Sequence, residues 1–76
     1  MTINDFIYNY KNATGCGEEL LIEPNTIFKD LGEWDSVIVL NLIAMIDEEY
    51  DILISFEEIN ECENIKELFE LVAQKK

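Results

Sequence analysis

Apolar side chains fill every position from Val37 to Ile46 except Asn41, and Asp35 and Ser36 stand directly before them. Asp and Ser oxygens are among the best acceptors for the unpaired N–H groups of a first helical turn, so the pattern predicts a helix starting at Ser36. At helical pitch Val39, Leu42, Ile43, Ile46 and Tyr50 share one stripe, which extends the helix to about Tyr50 and sets its core-facing side. The opposite side carries Val37, Asn41, Ala44 and Glu48, flanked by Leu40 and Met45. A helix lying on a core does not need Val37, Leu40 and Met45 outside its stripe. Either another helix covers that side, or it is an exposed apolar patch for protein contact.

The rest of the chain also reads as helical. Its 76 residues suffice for one domain over 1–76, 49% of them are apolar, and one Pro and three Gly leave long uninterrupted stretches. Thr2 and Asp5 suggest a capping box, after which Ile3, Phe6, Ile7 and Tyr10 form one face of a helix ending near Gly15 and Gly17. Residues 15–34 form a long connection in which Pro24 forbids a helix interior. Leu20, Leu21, Ile22, Ile27, Phe28 and Leu31 are expected to pin this loop across the helices, with a helical turn around Thr26 to Leu31. Ser55 and Glu58 make a second capping box, and Ile54 and Ile59 a hydrophobic staple, for a short helix. Asn64 and Glu67 open the last helix, whose stripe is Ile65, Leu68, Phe69 and Val72 and whose negative end meets Lys75 and Lys76. The expected fold is all-α. It is a four-helix bundle with three main helices, a short third one and a long loop between the first two.

Seventeen acidic residues against five basic ones give a net charge of −12. That balance excludes nucleic acid and anionic lipid as partners and favours basic protein surfaces. With no His, and with Cys16 and Cys62 far apart, the chain offers neither a metal site nor a His-activated nucleophile. Asp47 to Glu58 mimics the acid spacing of a calcium loop, but Ile52 stands where the sharp turn needs Gly. Adjacent acids such as Glu18-Glu19, Glu48-Glu49 and Glu57-Glu58 follow from the composition, and a domain this small is not expected to enclose a catalytic cleft. No apolar run is long enough for a leader or a membrane span, so a cytoplasmic monomer is expected. Ser36 would sit at the positive end of a helix dipole, a place that favours an attached phosphate. The nearest base in sequence is Lys29, so chemistry at Ser36 would have to be done by another enzyme.

The stretches Phe28 to Leu31, Gly32-Glu33-Trp34-Asp35-Ser36-Val37, Asp47-Glu48-Glu49-Tyr50-Asp51-Ile52, Ile54 to Glu58 and Asn64 to Leu68 occur in this order over essentially the whole chain. In that arrangement the sequence resembles an acyl carrier protein. The resemblance implies that Ser36 receives 4′-phosphopantetheine from coenzyme A, transferred by a separate Mg-dependent phosphopantetheinyl transferase. The thiol of that arm would hold an acyl or aminoacyl thioester while acyl-loading and acyl-transferring enzymes act on it, so the chain would be a carrier and not an enzyme. Asp35, Val37, Leu40, Asn41, Ala44, Met45 and Glu48 become candidates for recognition by those partners. Phe28, Ile46, Ile54 and Leu68 become candidates for lining a gap that takes an acyl chain.

Fatty-acid carriers typically have acidic residues on the turns after the modified serine, where this chain has Ile38 and Asn41, and a smaller or non-aromatic residue at the place of Trp34. Those departures imply a dedicated pathway, with amino-acyl or specialised acyl cargo for a peptide, polyketide or surface-glycan product. The alternative from a different class is a non-acylated acidic adaptor that binds a basic partner through Val37, Leu40, Ala44 and Met45, with Ser36 serving only as a cap.

Overall fold

The computed structural model describes residues 2–15, 21–30 and 34–76. Its helices are α1 (Ile3–Thr14), α2 (Ser36–Tyr50), α3 (Phe56–Glu61) and α4 (Ile65–Lys75), with a 3-10 turn over Phe28–Asp30 between the first two. No strand occurs among the described residues, so the fold is all-α, with a short third helix as expected. None of these helices is long and apolar enough to cross a membrane.

Each helix begins where a short polar side chain accepts an otherwise unpaired N–H. The Thr2 hydroxyl accepts from the Asp5 N–H at 3.2 Å, and α1 ends at Gly15, whose φ of 73° is left-handed. A Cβ there would meet nothing within 4 Å, so the dihedral and not the space selects glycine. At α3 both arms of the capping box form: the Glu58 N–H donates to Ser55 Oγ at 3.1 Å and the Ser55 N–H to Glu58 Oε1 at 3.0 Å. Asn64 caps α4 at 2.9 Å, while the Glu67 carboxylate reaches past it to accept from the Glu63 N–H at 3.1 Å. The loop completes the start of α4, because the Ile65 N–H donates to the Thr26 carbonyl at 3.1 Å and the Lys66 N–H to the Pro24 carbonyl at 2.8 Å.

One core cluster joins Phe6 and Tyr10 of α1, Ile22 and Phe28 of the loop, Val39, Leu42, Ile46 and Tyr50 of α2, Ile59 of α3, and Ile65, Leu68 and Val72 of α4. Three apolar positions differ from expectation. Met45 is only 8% exposed, because α1 lies across that side of α2 and Met45 lines the groove between them beside Asn9, Asn12 and Ala13. In the loop Ile22 and Phe28 are buried, but their neighbours Leu21 and Ile27 face solvent. Where the chain is not helical, one inward residue turns the next one outward. Leu20 and Leu31, the other expected anchors, lie outside the described residues, and the helical turn is confined to Phe28–Asp30.

Candidate attachment site at the start of helix α2

Asp35 adopts an extended backbone, with φ of −143° and ψ of 179°, directly before α2. Its carboxylate accepts from the Ile38 N–H at 3.0 Å and its carbonyl from the Val39 N–H at 3.3 Å. Asp35 therefore does the capping, and Ser36 becomes the first helical residue and is exposed. The N–H groups of Ser36 and Val37 lie ahead of the first intrahelical acceptor, so this helix end presents donors outward. The charge pattern is also distinctive. α1 carries Asp5, α3 carries Glu57 and Glu58, and α4 carries Glu67 in its first turn, whereas α2 carries no acid there. The negative charge at this dipole end comes from the capping Asp35 carboxylate, which is turned to the Ile38 N–H, and the outward N–H groups of Ser36 and Val37 would suit an exposed phosphodiester.

Trp34 is half-buried beside this point and packs on Phe28, with ring centroids 5.2 Å apart at 56°. Phe28 is fully buried and meets Tyr10 edge-on at 6.3 Å. Lys29, the base nearest to Ser36 in sequence, donates instead to the Asn60 carbonyl in α3. It serves as a tie between loop and helix.

Along α2, Val37 and Leu40 are 59% and 60% exposed, with Asn41, Ala44 and Glu48 exposed beside them. The structure thus groups these candidates on one open face and withdraws Met45 from it. Leu53, at 78% exposure, and Phe56 add apolar surface between α2 and α3 that sequence reasoning did not single out. A signal was present: in the non-helical link Ile52-Leu53-Ile54, inward Ile52 and Ile54 force Leu53 outward. Phe28, Ile46, Ile54 and Leu68 all lie inside the core cluster.

The other reactive candidates are accounted for. Cys62 is buried and its thiol donates to the Glu58 carbonyl at 3.5 Å. Burial, reinforced by Glu67, pushes that thiol above its ordinary value, so it stays protonated and unreactive at neutral pH. Cys16 lies outside the described residues. The calcium-like stretch begins in the last turn of α2, which is helical through Tyr50, and no group of acids, His or Cys among the described residues could hold a metal ion.

Ser36 thus offers an exposed hydroxyl in the first turn of α2, and Lys29 is engaged elsewhere. A family model described as the phosphopantetheine attachment site matches residues 12–72. No curated protein and no solved structure gives a significant match.

Proposed function

The chain belongs to the phosphopantetheine attachment site family, and we propose that it is a carrier protein whose Ser36 bears the group. Domains of this family take 4′-phosphopantetheine covalently. In the proposed transfer, Ser36 Oγ forms a bond to the phosphorus that carries the pantetheine arm of coenzyme A. The pyrophosphate linkage breaks, adenosine 3′,5′-bisphosphate leaves, and the serine proton passes to a base on the transferase. The arm's thiol then carries acyl or aminoacyl thioesters between enzymes of a dedicated pathway.

The observation that carries this reading is the division of labour at the start of α2. Asp35 spends its carboxylate on the cap, Ser36 is exposed, and no acid in the first turn opposes a phosphodiester. The face formed by Val37, Leu40, Asn41, Ala44 and Glu48 suits recognition by the transferase and by acyl-handling enzymes with basic surfaces. Apolar contact is supplied close to Ser36 and charge further along the helix.

Intact-mass measurement tests the reading. Protein made with a broad-specificity transferase and coenzyme A should gain one phosphopantetheine mass, located on Ser36 by fragmentation. Ser36→Ala should fold and gain none. Wild type that stays unmodified with several transferases would overturn the proposal.

A further inference from the structure

We propose that Trp34, seated on Phe28, stops acyl cargo from entering the bundle, so that this carrier presents its cargo in the open and serves short or polar acyl or aminoacyl groups. The inference rests on Ser36 being the attachment residue, and it concerns what happens to a cargo once it is there.

Two independent observations carry it. The first is a continuous row of rings. Trp34 precedes the attachment residue by two positions and covers Phe28 at 5.2 Å, and Phe28 abuts Tyr10 at 6.3 Å. Phe28 is 0% exposed and Tyr10 1%, so among the described residues the two rings beneath Trp34 are closed off from solvent. The second is that the segment bearing Phe28 is tied on both sides and cannot swing away freely. Lys29 donates to the Asn60 carbonyl in α3. The Thr26 and Pro24 carbonyls accept from the first turn of α4.

The energetics turn on these contacts. Burying an alkyl chain is favourable in proportion to its area, and opening room for it in a close-packed core is unfavourable by a comparable amount. With those two effects nearly balanced, the ring contacts and polar ties that a chain must break decide the sign. They favour exclusion. Trp34 is then a specificity-determining residue, because it adds an aromatic cover to the buried Phe28.

The test loads Ser36 with acetyl- and with decanoyl-phosphopantetheine, using a broad-specificity transferase and the matching acyl-coenzyme A, and verifies each product by intact mass. Failure to gain mass at this step defeats the carrier reading itself. A loaded protein isolates the inference. Cleavage of the two thioesters by hydroxylamine should then proceed at the same rate, and the methyl NMR signals of Ile46 and Ile54 should not depend on chain length. In Trp34→Ala the decanoyl thioester should become protected by about fivefold over the acetyl one as the chain populates the core. Trp34→Leu, which keeps an apolar cover without the ring, should change in the same direction if the Ala variant does not fold. Protection of the long chain in wild type, or equal cleavage of both thioesters in the folded Trp34 variants, would overturn the inference.

Discussion

Asp35 and Ser36 are adjacent, chemically similar as helix caps, and used for different ends. The Asp35 carboxylate is committed to the Ile38 N–H, which directs its charge into the helix start and leaves the neighbouring hydroxyl open. Asp35→Ala should therefore lower stability by about 1 kcal/mol. For a domain of this size that corresponds to a fall in Tm of roughly 4–8 °C, checked by thermal denaturation. Asp35→Asn, which still accepts the bond, should lose much less. The start of α2 was legible because both residue types favour a cap, and a helix beginning at Ser36 puts Asp35 in the capping place that it takes. Met45 shows the complementary limit. Its place on the edge of α2 could be read from periodicity, but its burial depends on where α1 crosses, a long-range fact with no local signature.

Among the elements, α2 is charged against its own dipole. Its final turn carries Asp47, Glu48 and Glu49 and no base, although cations are favoured there. Glu48→Lys should raise stability by about 0.3–1 kcal/mol in denaturant unfolding. The same variant should slow association with a basic transferase, measured by stopped flow, if stability has been traded for recognition. The link between α3 and α4 responds to pH in a defined direction. Glu58 bonds the Lys75 ammonium at 2.8 Å and accepts from the Ser55 N–H, and these contacts hold its carboxyl below the usual value. A carboxyl lowered in the folded state stabilises fully above its unfolded value, and that contribution is lost as pH falls through the lowered one. Unfolding midpoints followed by circular dichroism should thus drop below the ordinary carboxylate range, and Glu58→Gln should flatten that part of the curve. The effect should be modest, because both side chains are about one-third exposed. Helix starts were the most readable features of the sequence, since each rests on a local cap. The loop was readable only in part, because a non-helical chain decides inward and outward residue by residue.

At the scale of the whole molecule, a net charge of −12 is carried by a body of about 30 × 25 × 20 Å. The screening length at 0.1 M salt is about 10 Å, short of the 30 Å long dimension, so acids near the contact dominate the field a partner meets and those on the far side add to it only at low salt. Association with the transferase should slow by about tenfold or more between low and high salt, while turnover of the bound complex changes little. The charge, the helix plan and the exposed serine were all legible in the sequence. The aromatic cover of Trp34 on Phe28 was not, because those residues meet only after the chain has turned from the loop into α2.

The backbone oxygens of Pro24 and Thr26 have a consequence for any attempt to trim the protein. They bind the amides of Ile65 and Lys66, so the segment leading to the serine is moored at the opposite end of the sequence. A version cut before Asn64 would lose more than one helix. It would also release the strap that leads toward Ser36, and the start of α2 would drift even if the first two helices still paired.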